Sequence, residues 1–161
     1  MANSREIIRY KQQIISLLIN NEDIVNLIDQ EGIETPEDLI YNNIYDFVRI
    51  PDAPEEQKTF ICVEVDVPEV YSVNFLFKKL VIYVHVITHQ GLMITDLGGA
   101  RTDLLGAEVD EMLNGYRGIG QKPLELISNV AERVGERHRG RLLTFLASDI
   151  NVDPCKKPST K

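Results

Sequence analysis

Two acidic residues, Glu64 and Asp66, stand two positions apart in an alternating apolar segment, so in a β-strand both carboxylates would project from one face. Lys78 and Lys79 follow downstream. A metal-dependent nuclease needs carboxylates that converge on one point and a lysine beside the attacked phosphate. Acidic pairs are also routine on solvated strand faces, and the net charge of −8 opposes binding to phosphates. A nuclease that uses Glu64 and Asp66 is therefore kept only as the least favoured alternative.

A second chemical candidate is the glycine-rich segment 115–120, which has the composition of a phosphate-binding loop. A phosphate loop of that type requires a lysine directly after its last glycine, then Ser or Thr, between a strand and a helix. Here Gln121 takes the lysine position, Pro123 follows Lys122, and a helix is predicted before the loop. The sequence therefore favours a plain connecting loop.

The histidines and cysteines do not form a recognisable metal motif. His85 and His89 would lie about 13 Å apart along one strand, at roughly 3.3 Å per residue, which is too far for one ion. We expect His85 in the core, and His89 and His138 in loops. Neither Cys62 nor Cys155 has a second ligand at zinc spacing, and no disulfide is expected between them. The sequence thus predicts no metal, no cofactor and no catalytic residue, and the protein is not expected to be an enzyme.

The element that must position these residues is a strand at 79–90, apolar on both faces as a central strand is, followed by an amphipathic helix at 101–114. Apolar spacing also predicts helices at 4–20 and 22–30, and a short capped helix from Thr35. Alternation predicts a strand at 61–67 that ends at Pro68, and a hairpin of strands 123–134 and 141–148 joined through 135–140. A helix competes at 123–134, 70–76 is a turn or a strand, and 91–100 is a loop long enough to be a contact arm.

These elements define an α+β fold, a mostly antiparallel β-sheet packed against helices, with an N-terminal helical extension at 1–31. A length of 161 residues with 43% hydrophobic and 26% charged residues suits one soluble domain at 1–151, with a flexible tail at 152–161. No apolar run approaches the roughly 20 residues of a membrane span, and the N-terminus lacks the features of a secretory signal. We expect synthesis in the cytoplasm and protein partners, rather than a membrane or specific nucleic-acid sequences.

The predicted hairpin alternates acidic and basic residues. Two interpretations remain open: cross-strand ion pairs, or a seam between subunits where mixed charge matches a neighbouring copy. The residues are Glu125, Glu132, Glu136, Arg133, Arg137, Arg139 and Arg141.

Several segments together resemble the tail terminator proteins, the tail-completion or neck proteins of long-tailed bacteriophages and prophages. The resemblance covers about residues 46–151. It is carried by Arg101-Thr-Asp-Leu-Leu, Asp110-Glu-Met-Leu-Asn-Gly115, Gly118-Ile-Gly120, Arg139-Gly-Arg141, Phe145 and Asp149-Ile-Asn151.

The resemblance implies a structural virion protein located in the tail neck. Such subunits form a ring, usually a hexamer, at the head-proximal end of the tail, where the ring stops tube polymerisation and offers a docking surface to the head. The implied partners are further copies, the tail tube protein, the head-tail connector and, if the tail is contractile, the sheath protein. The resemblance places five residues near subunit or tube contacts: Arg101, Asp103, Asp110, Arg139 and Arg141.

Two alternatives accompany this prediction. A head-tail connector, or head-closure protein, of related fold could carry the long helical segment 1–31, which exceeds what the smallest terminators have. A monomeric immunity or adaptor protein is the other, and its mass in solution would stay near 18.3 kDa.

Overall fold

The computed structural model describes residues 5–51, 53, 56–70 and 77–150. The predicted α+β fold is confirmed: three α-helices pack with a five-stranded mixed sheet. The helices are α1 (Arg5–Ile19), α2 (Glu22–Ile28) and α3 (Arg101–Leu113), with short 3-10 helices at Pro36–Leu39 and Gln90–Leu92. The strands are β1 (Ile44–Tyr45), β2 (Thr59–Val70), β3 (Phe77–His89), β4 (Glu125–Val134) and β5 (His138–Ile150).

The strand order is β1-β2-β3-β5-β4, and only the β1–β2 pair is parallel. β3 is the central strand, as predicted, with β2 and β5 antiparallel on either side along nearly its whole length. The hairpin of β4 and β5 is also confirmed, and the competing helix at 123–134 is wrong. The two edges of the sheet are therefore the short β1 and the ten-residue β4.

Local sequence signals determine where the helices begin and end. The side-chain oxygen of Asn21 accepts a hydrogen bond from the backbone N–H of Ile24 at 3.1 Å, which caps α2. Asp38 accepts from the backbone N–H of Thr35 at 2.9 Å, which completes the capping box before the first 3-10 helix. Gly115, with φ +83°, follows Asn114, the C-cap residue of α3.

One face of the sheet packs on all three helices. Alternate strand residues, such as Val63, Ile82 and Phe145, are fully buried there against Ile14 and Leu105. Both N-terminal helices contribute to this core. A smaller cluster on the opposite face contains Tyr45, Phe60, Cys62 and Ile87.

Three predicted details are wrong. β2 does not end at Pro68 but continues to Val70, with an irregular register between Asp66 and Glu69 that accommodates a residue without an N–H. His89 and His138 are not loop residues: they pair across β3 and β5 and are buried. The turn of the hairpin is correspondingly shorter than predicted.

The predictions for residues 71–76 and for the tail 152–161 lie outside the described residues. No helix in the described part of the chain has the length and apolar character needed to cross a membrane.

Candidate assembly surfaces

Arg101, the first residue of α3, is fully engaged within its own chain. Its Nε donates to the carbonyl oxygen of Leu92 at 2.7 Å, and its Nη1 donates to the carbonyl oxygen of Leu27. Asp29 lies 3.8 Å from the guanidinium. With a side chain only 11% exposed, Arg101 joins the end of α2, the turn after β3 and the start of α3, and so fixes the loops at that end of the sheet.

Asp103 and Arg141 are brought together by the packing of α3 on the hairpin. The guanidinium of Arg141 donates to Asp103 Oδ1 at 2.8 Å and to Asn129 Oδ1 at 3.1 Å, which links α3 to both β5 and β4. Gly106 makes this close approach possible, because a Cβ there would lie 3.0 Å from Arg141 Cδ. The pair lies at the surface and is worth at most about 1 kcal/mol by itself.

The other two predicted interface residues lie apart from this pair. Arg139 donates to the carbonyl oxygens of Glu136 and His138, at 3.2 and 2.8 Å, and so stabilises the hairpin turn. Asp110 Oδ1 is buried and has no hydrogen-bond partner among the described residues. All these contacts lie within one chain, so the predicted role at a subunit or tube interface stays a prediction.

The hairpin does not form the cross-strand ion pairs that one interpretation predicted. Arg133 and Arg139 stand directly opposite each other, and no ion pair in the described residues joins the acidic to the basic hairpin residues. Glu132 instead lies 3.1 Å from Nδ1 of His85. The second interpretation, a seam between subunits, stays a prediction.

His85 is buried, as predicted, and lies between two carboxylates. Its Nδ1 faces Glu132 Oε2, and its Nε2 faces Glu64 Oε2 at 3.3 Å. One ion cannot bind both nitrogens of one imidazole ring, and the described residues contain no group of three or more His, Cys, Asp or Glu arranged to hold a metal. Sequence reasoning missed Glu132, because it lies 47 positions from His85 and meets it only through strand pairing.

Lys78, one of the two lysines that a nuclease site could place beside Glu64 and Asp66, is engaged elsewhere. Its ammonium group pairs with Glu6 and lies 3.6 Å from Asp149. Tyr10 donates to the same Asp149 carboxylate. Burial and this carboxylate raise the pKa of Tyr10 to about 12. The result is a buried polar network that fastens α1 to β3 and β5, with Lys78 only 1% exposed.

The glycine-rich segment is a packed connecting loop. Gln13 of α1 donates to the carbonyl oxygen of Gly118 at 3.1 Å. Gly120 has φ +72°, and a Cβ there would lie 2.6 Å from the carbonyl oxygen of Ser148. The backbone of this loop therefore packs against α1 and β5, as a connecting loop does.

Exposed apolar side chains lie at both edges of the sheet, which are four strand spacings apart, or about 19 Å. At the β1 edge Tyr41 and Phe47 are 60% and 49% exposed, and at the β4 edge Ile127 and Val130 are about half exposed. Tyr41 also has φ +58°, an unusual conformation for a residue other than glycine. Large apolar groups in such positions favour contact with another protein.

Comparisons with known proteins relate the chain to one family and one fold. The family model YomW matches residues 11–146. No curated protein matches the chain. Among solved structures, a chain of the virion of a native gene transfer agent particle is similar, with a TM-score of 0.56 and 18% sequence identity. The alignment covers 87% of this chain and 93% of that chain. At this level of identity the likeness shows a shared fold.

Proposed function

Since the chain belongs to the YomW family and shares its fold with a chain of a gene transfer agent virion, we propose that it is a structural protein of a phage-type virion. Its specific role is that of a tail terminator in the tail neck. Copies form a ring, a hexamer, at the head-proximal end of the tail, where the ring stops tube polymerisation and offers the docking surface for the head connector.

The proposed ring is supported by one observation: exposed apolar residues lie on opposite edges of one sheet. A closed ring is built from head-to-tail contacts, so each copy must offer two different patches on opposite sides. The β1 edge, with Tyr41 and Phe47, and the β4 edge, with Ile127 and Val130, meet this requirement. A neighbouring copy on β4 would also cover the unpaired backbone of that ten-residue edge strand.

The test of the terminator role is electron microscopy of lysates from the source phage or prophage with this gene deleted. We expect overlong tubes without heads, because growth of the tube would lack its stop. Normal-length tails beside unattached, DNA-filled heads would replace this proposal by a head-tail connector of related fold. Unaltered infectious particles would refute both.

The ring is tested separately by the mass of the purified protein. A ring has the mass of about six copies of the 18.3 kDa chain, and replacing Val130 by Lys at one edge should lower that mass. The exposed residue Arg117 lies outside both edges, so Arg117→Lys is the control. A wild-type mass near one copy at every concentration, and also in the presence of tail tubes, would favour the monomeric adaptor.

A further inference from the structure

The loop at residues 93–100, named here the arm, displays the most exposed large apolar side chain of the described residues. Ile94 is 92% exposed and Leu97 is 70% exposed. Single exposed apolar residues are common on protein surfaces, but these two stand three positions apart in one loop. Each would remove a large apolar area from water if a partner covered it.

The arm holds its shape through its own hydrogen bonds. Ile94 and Ala100 form an isolated antiparallel bridge at its base, and the backbone N–H of Arg101 donates to the carbonyl oxygen of Met93 at 2.9 Å. Within the arm, Thr95 Oγ1 donates to the carbonyl oxygen of Gly99 at 3.0 Å and accepts from the backbone N–H of Leu97. A loop that is already ordered loses less conformational entropy when it binds.

Carboxylates surround the two apolar side chains. Asp96 lies between them in the sequence and is exposed. One surface hollow beside Leu97 is lined by Asp23 and Glu108, and another beside Ile94 and Leu97 is lined by Asp29 and Asp96. The one basic residue in these hollows, Arg101, is held by Asp29 and two carbonyl oxygens. A complementary surface would carry an apolar recess bordered by lysine or arginine.

The arm lies at an end of the sheet rather than at an edge. It follows the turn after β3. There Leu92 lines a hollow together with the end of α2, with Gln57 and Lys58 just before β2, and with Thr59, the first residue of β2. Contacts between neighbours in the proposed ring use the edges β1 and β4. The surface at the end of the sheet that carries the arm is therefore not covered by neighbours in the ring, and it is free to bind a partner stacked on the ring along its axis.

We propose that each subunit binds the end of the tail tube through the arm. Ile94 and Leu97 insert into an apolar recess on the tube end, and basic residues border this recess. This inference rests on the proposed terminator function. It assigns the tube contact to residues that differ from the five residues predicted from the sequence.

The experiment uses tail tubes isolated from the strain lacking this gene, and measures co-sedimentation of added purified protein with the tubes. The variant Ile94→Ser/Leu97→Ser should bind at least about 100-fold more weakly, because each lost side chain removes one to two factors of ten. Asp96→Asn should weaken binding several-fold and reduce its dependence on salt. Ile8→Ser, at a residue 58% exposed on α1, is the matched control and should bind like the wild type.

Four outcomes would overturn the inference. Binding of the double variant within threefold of the wild type would refute the arm and leave the terminator function intact. Loss of the ring mass in the double variant would identify a second copy as the occupant. If the double variant bound tubes normally but its tails failed to join heads, the partner of the arm would be the head connector instead of the tube. Failure of the wild-type protein to bind tubes would refute the terminator function itself, and with it the arm contact.

Discussion

Replacement of the buried Lys78 by Met should destabilise the protein strongly. The Lys78 ammonium lies between the carboxylates of Glu6 and Asp149 on a side chain that is 1% exposed. Methionine fills a similar volume, so the change removes the charge with little loss of packing. Asp149 would then be left largely buried without its cation, while Glu6 would keep the exposed Arg9 at 3.9 Å. Breaking a buried pair in this way costs about 3–5 kcal/mol.

The loss of stability is measured by urea denaturation and by thermal unfolding, both followed by circular dichroism at neutral pH. For a chain of this size, about 1 kcal/mol of stability corresponds to roughly 2–4 °C in the thermal midpoint, so that midpoint should fall by about 6–20 °C. Lys122→Met, at an exposed lysine, is the matched control and should change stability by no more than about 0.5 kcal/mol.

A second variant separates the missing charge from other effects. In Lys78→Met/Asp149→Asn the buried carboxylate is replaced by a neutral amide of the same shape, so part of the lost stability should return. A Lys78→Met variant within about 1 kcal/mol of the wild type would refute the reasoning. So would a double variant less stable than Lys78→Met, because Asp149 would then not be the group that lacks its cation.

Three further predictions concern Cys62, His138 and Gly120. Burial raises the pKa of the Cys62 thiol to about 11. In a Cys155→Ser variant, where Cys62 is the remaining thiol, iodoacetamide at pH 8 should alkylate the folded protein at least about 100-fold more slowly than the urea-unfolded chain. Equal alkylation rates would contradict the burial of Cys62. Burial lowers the pKa of His138 in the folded state, so the stability that its neutral form contributes is complete above about pH 6.5 and is lost as the pH falls below that value. In His138→Gln the urea midpoint should therefore depend less on pH between pH 5 and 7. An equally steep pH dependence in the wild type and the variant would refute this prediction. Gly120→Ala should lower the free energy of unfolding by more than about 1 kcal/mol because of its positive φ and the contact with Ser148, whereas Gly135→Ala, which has a positive φ but open space around it, should cost less in the same urea titration.

Short-range signals in the sequence predicted most of the elements correctly. The cap at Asn21, the capping box at Thr35 and the glycine after α3 act within a few residues of themselves, so their effect is visible in the sequence. The central strand was also visible, because a strand buried on both faces must be apolar on both faces. These signals were sufficient for the α+β fold.

Predictions failed where the outcome depended on a distant neighbour. Pro68 is a typical strand end, but β2 passes it through an irregular register against β3. His138 follows a turn and was expected in a loop, yet pairing with His89 places it in β5. In each case the long pairing with β3 outweighed the local preference.

The sequence by itself determined the helices and most of the strands, because periodicity, caps and glycines are local properties of the chain. Only the tertiary structure decided which charges meet: Lys78 with Glu6 and Asp149, and His85 with Glu132, across 47 to 72 positions. It also decided which apolar residues remain exposed, since Val130 and Ile94 are typical core residues by type. Their exposure depends on the order of the strands and the path of the loop, and neither is encoded in a local pattern.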